Sequence, residues 1–178
     1  MLSLVKAAQV ADYPADIAIV LSNKPDAPGL GFAAELGVKA VAVDQRTFGK
    51  DREAHERAMD AMLRKAGVEV VALAGYMRVL TPWFVDAWAG RMINIHPSLL
   101  PAYPGLHTHA RAIAAGDAEA GCTVHVVTIG VDEGPILGQA RVPVLAGDDE
   151  DSLAKRVLEA EHVLYPQALA AFCDALSR

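Results

Sequence analysis

The sequence predicts a doubly wound α/β domain with a mostly parallel sheet, and three features carry that reading. Short apolar runs alternate with stretches of helical period along the whole chain. The connections between them are short and carry Gly, Pro, Asp or Asn. One run, V-E-V-V-A-L-A-G from Val68 to Gly75, is almost continuously apolar, as a central parallel strand covered by helices on both faces should be. With 178 residues the chain makes one domain, residues 1–178, able to bury roughly 70% of its unfolded surface.

LSLVKAAQ, residues 2–9, has the period of an amphipathic helix, an odd opening for this fold class. D-I-A-I-V-L (16–21) is a buried strand closed by Ser22 and Asn23. Pro25 to Gly29 turn the chain into a helix over 29–36 that stops at Gly37. V-K-A-V-A-V (38–43) is a second strand, and 51–66 a longer helix ended by Gly67. After the run at 68–75, Thr81 and Pro82 suit a helix N-cap and first position, giving a short helix through Ala89. A strand over 92–95, a helix over 106–115 stopped by Gly116, and an alternating strand over 122–128 follow. Pro143 places the last strand, I-L-G-Q-A-R-V-P-V, at a sheet edge. Asp149 or Asp151 caps a closing helix that runs to about Leu176.

Composition removes several classes of function. Sixteen Lys and Arg stand against 22 Asp and Glu, a net charge of −6, which is no footprint for a phosphate backbone. Nucleic acid is therefore not an expected partner. The 53% hydrophobic content is broken into runs far short of the roughly 18 residues that cross a bilayer, so no membrane span is predicted. MLSLVKAAQVADYP lacks the charged start, long apolar centre and cleavage site of a secretory signal. Cys122 and Cys173 share no CxxC spacing and read as two reduced thiols of a cytoplasmic protein.

The stretch that carries chemistry is M-I-N-I-H-P-S-L-L-P-A-Y-P-G, residues 92–105. Pro97, Pro101 and Pro104 prevent it from continuing as strand or helix, so Asn94 and His96 lie near a strand's end, where open α/β sheets bind ligands. Two residues apart on an extended backbone, they point the same way. An amide can donate to a developing oxyanion, and an imidazole can trade a proton near neutrality. Asp132, in the loop G-V-D-E-G-P (130–135), is a turn former by composition; a loop opening onto the same face would instead make it the partner that favours charged His96.

Other residues carry plainer readings. His107 and His109 have metal-like spacing without a third ligand, so they read as loop-shaping or substrate-side groups and no metal is predicted. His125 is a core or near-site histidine, and His55 and His162 are helix residues facing solvent. Met77 and Leu80 are core by default, and Arg52 and Glu161 solvated helix charges.

The words NIHPSLLP, YPGLHTH and VDEGPILGQ, with AGYMRVL upstream and EHVLYP downstream, resemble the phosphoribosylglycinamide formyltransferases of purine synthesis across essentially the whole chain. NIHPSLLP alone points only to the wider group of formyltetrahydrofolate-using enzymes; the LHTH turn narrows it. The resemblance implies direct transfer of a formyl group from 10-formyltetrahydrofolate to the amine of glycinamide ribonucleotide, with no metal and no covalent enzyme intermediate. It makes Asn94, His96 and Asp132 the catalytic three. It has Met77, Arg78, Val79 and Leu80 line the pterin and formyl region, with Asn94, Arg52, Thr128, Val131 and Asp132 completing the folate pocket. Pro97 and Glu161 would contact the ribonucleotide. Small molecules are the expected partners, handled by a monomer or homodimer.

One departure accompanies the likeness. Members of the family begin with an apolar strand and a G-x-G-S-N turn that holds the substrate phosphate at a helix N-terminus; here Met1 and Leu2 match the residues just after that turn. The domain is thus read as N-terminally truncated relative to the family: either translation starts about a dozen residues earlier, or the phosphate loop is missing and ribonucleotide binds poorly. Two further functions stay open on the residues. A sister folate enzyme, tRNA formyltransferase or formyltetrahydrofolate deformylase, would want an extra domain; a non-catalytic folate- or nucleotide-binding module has only the absent loop in its favour.

Overall fold

The alternating pattern becomes, in a computed structural model describing residues 1–177, six helices and six strands connected as the apolar runs require. In chain order these are α1 (Leu2–Ala8), β1 (Val20–Ser22), α2 (Pro28–Glu35), β2 (Ala40–Ala42), α3 (Arg52–Lys65), β3 (Val71–Leu73), α4 (Pro82–Ala87), β4 (Met92–His96), α5 (Thr108–Ala115), β5 (Glu119–Val126), β6 (Ile136–Pro143) and α6 (Glu150–Leu176). The helices begin where short polar side chains can satisfy free N–H groups. The Asp51 carboxylate accepts from Ala54 N at 2.9 Å, the Thr81 hydroxyl from Phe84 N at 3.4 Å, and Asp149 and Ser152 form a capping box. A short 3₁₀ turn over Gln45–Phe48, held by Asp44, has no counterpart in the sequence reading.

The strands form two sheets. β1 and β2 pair in parallel; β3, β4, β5 and β6 form the second sheet in that order. β3 runs parallel to β4, β5 and β6 run antiparallel, and β6 lies at the edge, where Pro143 costs no central ladder bond. β1 and β3 do not pair with each other. Between them lies a cavity of about 1300 Å³ flanked by residues 16–22 and 68–75. The run Val68–Gly75 is therefore not covered as expected: only Val71–Leu73 is laddered, on its β4 side, and all three residues are half-buried.

The packed core instead centres on β4. Ile93 faces Val124, Leu4 of α1, and Tyr165, Ala168 and Leu169 of α6, while Met92 faces Met59, Leu63, Phe84, Val85 and Trp88 of the α3–α4 layer. Met92 and Ile93 are both 0% exposed, so β4 is rigidly placed on both faces. A third cluster, around Cys122, Val142, Leu153 and Val157, joins β5 and β6 to α6. Burial pushes the Cys122 thiol up to about 12, which keeps it protonated.

Two side chains of or beside α6 give measurable consequences. The buried Tyr165 hydroxyl donates to the Leu73 carbonyl at 2.7 Å and lies 3.3 Å from that of Ile93, so one phenol joins α6 to β3 and β4. Tyr165→Phe is expected to cost about 1–2 kcal/mol in chemical denaturation, because buried carbonyls lose a donor. Asp148 accepts from Arg156 at 2.7 and 3.0 Å, and this guanidinium holds its carboxyl well below the ordinary 3.8, helped by Leu145 N–H and the Ser152 hydroxyl. A carboxyl depressed by folding stabilises above its unfolded value and loses that contribution as pH falls. Asp148→Asn should thus lower the melting temperature at pH 7, with the gap to wild type closing as samples are acidified below about pH 4.

Candidate functional site

Strand alternation and cross-strand register together build the site. Asn94 and His96, at i and i+2 on β4, share a face of the sheet. On antiparallel β5, His125 sits opposite Asn94 and Thr123 opposite His96, so His125 shares that face. The site therefore lies on the sheet face toward the carboxyl end of β4, not wholly beyond it.

Two loops close over this face. The proline-rich segment after β4 brings the Tyr103 carbonyl 3.0 Å from His96 Nε2. The loop between β5 and β6 brings in Asp132, which adopts φ 58°, a left-handed conformation tolerated by Asp and uncommon elsewhere. That loop must pass close to β5: a Cβ on Gly134 would lie 1.7 Å from the Val126 carbonyl oxygen, so only glycine fits. Gly105 N–H then donates to Asp132 Oδ2 at 2.9 Å, tying the loops together through the carboxylate.

The carboxylate stands between two imidazoles. Asp132 Oδ2 is 3.3 Å from His96 Nδ1, and Oδ1 is 3.5 Å from His125 Nε2, with the three side chains 10%, 7% and 3% exposed. A carbonyl only accepts, so His96 carries hydrogen on Nε2 toward Tyr103. Its Nδ1 meets the carboxylate favourably only with a proton between them. By the same logic His125 holds hydrogen on Nδ1, 3.0 Å from the Val126 carbonyl, and its Nε2 can accept from Asn94 Nδ2 at 3.3 Å. An amide nitrogen has two hydrogens, so Asn94 retains one for a ligand. The cluster combines an amide donor with an imidazole and a carboxylate in direct contact.

Asn94, His96 and Asp132 are thus brought together. His125 belongs to the same cluster, more directly than the sequence reading placed it. Register Leu73↔Asn94 makes the segment after β3 leave the sheet beside the site. On it Met77 and Val79 are 76% and 60% exposed, Arg78 and Leu80 half-buried. Leu80 alone of these packs on the core around Met92. Arg52 Nη1 donates to the Val79 carbonyl at 3.4 Å, so it contacts this segment's backbone. Thr128 and Val131 are exposed on the loop that carries Asp132, with Val131 52% exposed. Pro97 is half-buried immediately after His96.

Glu161, on α6, makes no hydrogen bond or ion pair with this cluster. Burial pushes its carboxyl up, opposed by the Met1 amino group. The surface reading of His55 is wrong: it is 1% exposed, because the inner face of α3 includes it. His162 is exposed. His107 adopts φ 57° at the N-cap of α5, and burial pushes the His109 imidazole down. Among the described residues no three His, Cys, Asp or Glu side chains are arranged to hold a metal.

Such a face suits the transfer of a small acyl group, and comparison with known proteins agrees on the class. The chain belongs to the formyltransferase family: residues 2–169 match the family described as Formyl transferase. Within that class, several relatives carry names from purine biosynthesis. It is 44% identical to phosphoribosylglycinamide formyltransferase of Escherichia coli (strain K12), covering 97% of this chain and 81% of that protein. It is 49% identical over 156 residues to the trifunctional purine biosynthetic protein adenosine-3 of Drosophila melanogaster, covering 88% of this chain and only 12% of that much longer protein. The crystal structure of phosphoribosylglycinamide formyltransferase from Brucella melitensis superposes with a TM-score of 0.92 at 51% identity, covering 97% of this chain and 88% of that one. No helix among the described residues is long and apolar enough to cross a membrane.

Proposed function

We propose that this chain transfers the formyl group of 10-formyltetrahydrofolate to the amine of 5-phosphoribosylglycinamide. The observation that carries the reading is the buried contact of His96 Nδ1 with Asp132 Oδ2 at 3.3 Å, beside Asn94, in a chain whose relatives bear that enzyme's name.

The chemistry asks for what the cluster holds. The amine attacks the formyl carbon, giving a tetrahedral species with an oxyanion; collapse expels the folate nitrogen, which must gain a proton as the incoming amine loses one. The free N–H of Asn94 donates to the oxyanion, an interaction worth roughly 3 kcal/mol of barrier. His96, oriented through Nε2 by the Tyr103 carbonyl, shares its Nδ1 proton with Asp132, and this pair passes a proton to the folate nitrogen as it takes up the one the amine loses. Exposed Met77 and Val79 on one segment, and Val131 with Thr128 on the other, offer apolar surface for the pterin, with Arg52 and Arg78 behind them. Pro97 and Glu161 are assigned to the ribonucleotide on likeness alone. A cytoplasmic setting fits two free thiols.

The cavity between β1 and β3 supports a further part of this reading, that a preceding parallel strand and phosphate-holding turn complete the domain there. The mass of the native protein tests it. For the reaction, folate absorbance is followed with and without acceptor. Acceptor-dependent turnover is the expected result; turnover with water alone would mean a deformylase, and folate binding without turnover a binding module.

A further inference from the structure

The inner face of α3 holds the segment after β3 at four points. Arg52, His55, Glu56 and Met59 follow the i, i+3, i+4, i+7 spacing of one helix stripe. Arg52 donates to the Val79 carbonyl, and the Tyr76 hydroxyl lies 3.8 Å from Met59 Sδ. The middle two are the informative ones, being titratable residues only 1% and 2% exposed. Apolar residues would pack there at less cost in desolvation.

Their polar atoms are spent on the segment. The Glu56 carboxylate accepts from Thr81 N at 3.0 and 3.1 Å and from the Thr81 hydroxyl, so a buried acid anchors the residue that also caps α4. His55 Nε2 lies 2.9 Å from the Val43 carbonyl and must carry hydrogen, which leaves Nδ1 to accept from Arg78 Nη1 at 3.5 Å. Between these ties, Met77 and Val79 face solvent. Apolar side chains turned outward from a segment fastened on its inner side make a surface set in advance for a ligand.

We propose that His55 and Glu56 are positioning residues that hold Tyr76–Thr81 in its donor-binding conformation, and so set the affinity for the pterin-bearing formyl donor. This rests on the reading that the donor lies against Met77–Leu80. Neither residue touches the reacting atoms, so loss of a tie should weaken the donor and spare the chemistry.

The test is direct binding of 10-formyltetrahydrofolate, followed by quenching of Trp83 and Trp88 in and just after α4, together with steady-state constants and melting temperatures. Glu56→Gln is expected to raise donor Kd and KM about tenfold, with kcat and acceptor KM within about twofold. Thr81→Ser, which keeps the hydroxyl that reaches Glu56 and caps α4, should bind donor as wild type does. His55→Gln, which keeps an acceptor for Arg78, should bind donor better than His55→Leu. Unchanged donor affinity in Glu56→Gln, or equal losses for donor and acceptor tracking a fall in melting temperature, would make the pair ordinary core and overturn the proposal. A wild-type chain that binds no folate would instead remove the donor site itself.

Discussion

Replacing His96 by alanine is expected to lower turnover by two or more orders of magnitude while donor affinity barely changes. Three features isolate that imidazole from binding and give it to the chemistry. It is 6% exposed, it is oriented on one nitrogen by Tyr103 and on the other by Asp132, and it shares a face with the Asn94 amide. A ligand meets it only where bonds change. Single-turnover rates and donor binding measured on the same preparation check this. Affinity falling as far as rate would make His96 a structural residue, whose loss collapses the two loops it joins.

Asp132→Asn is expected to cost about a hundredfold in turnover, with the fold intact. Asparagine tolerates the left-handed backbone at φ 58° and can still accept from Gly105 N–H, so the loop need not move. What changes is charge between two imidazoles. An amide cannot share the His96 proton, and its N–H₂ would face one ring nitrogen. Because His96 and Asp132 act as a unit, the double variant should be little slower than the slower single one. Multiplicative losses would show two independent contributions and break the pair apart as a mechanism.

Much of this was legible in the residues, for reasons that can be located. Caps at Thr81 and Asp149 and stops at Gly37, Gly67 and Gly116 are local chemistry, so helix bounds fall within a residue or two of those expected. Asn94 and His96 needed only the two-residue period of a strand. His125 needed the pairing partner of β5, which no local pattern states; its apolar neighbours made it look like core. His55 was misread because Arg and Glu surround it in α3, and the inner stripe of that helix is itself partly polar, spent on hydrogen bonds to the segment after β3. The separation of β1 from β3 was equally hidden. Val68–Gly75 has the composition of a doubly covered strand, and composition says nothing of whether a neighbour lies on its other side.

That separation has a practical side. The facing borders of β1 and β3 carry main-chain donors and acceptors, and a parallel strand seated between them would pair on both sides and join the two sheets into one. A peptide with the sequence of such a strand, added in solution, should then raise the melting temperature in proportion to the logarithm of its concentration.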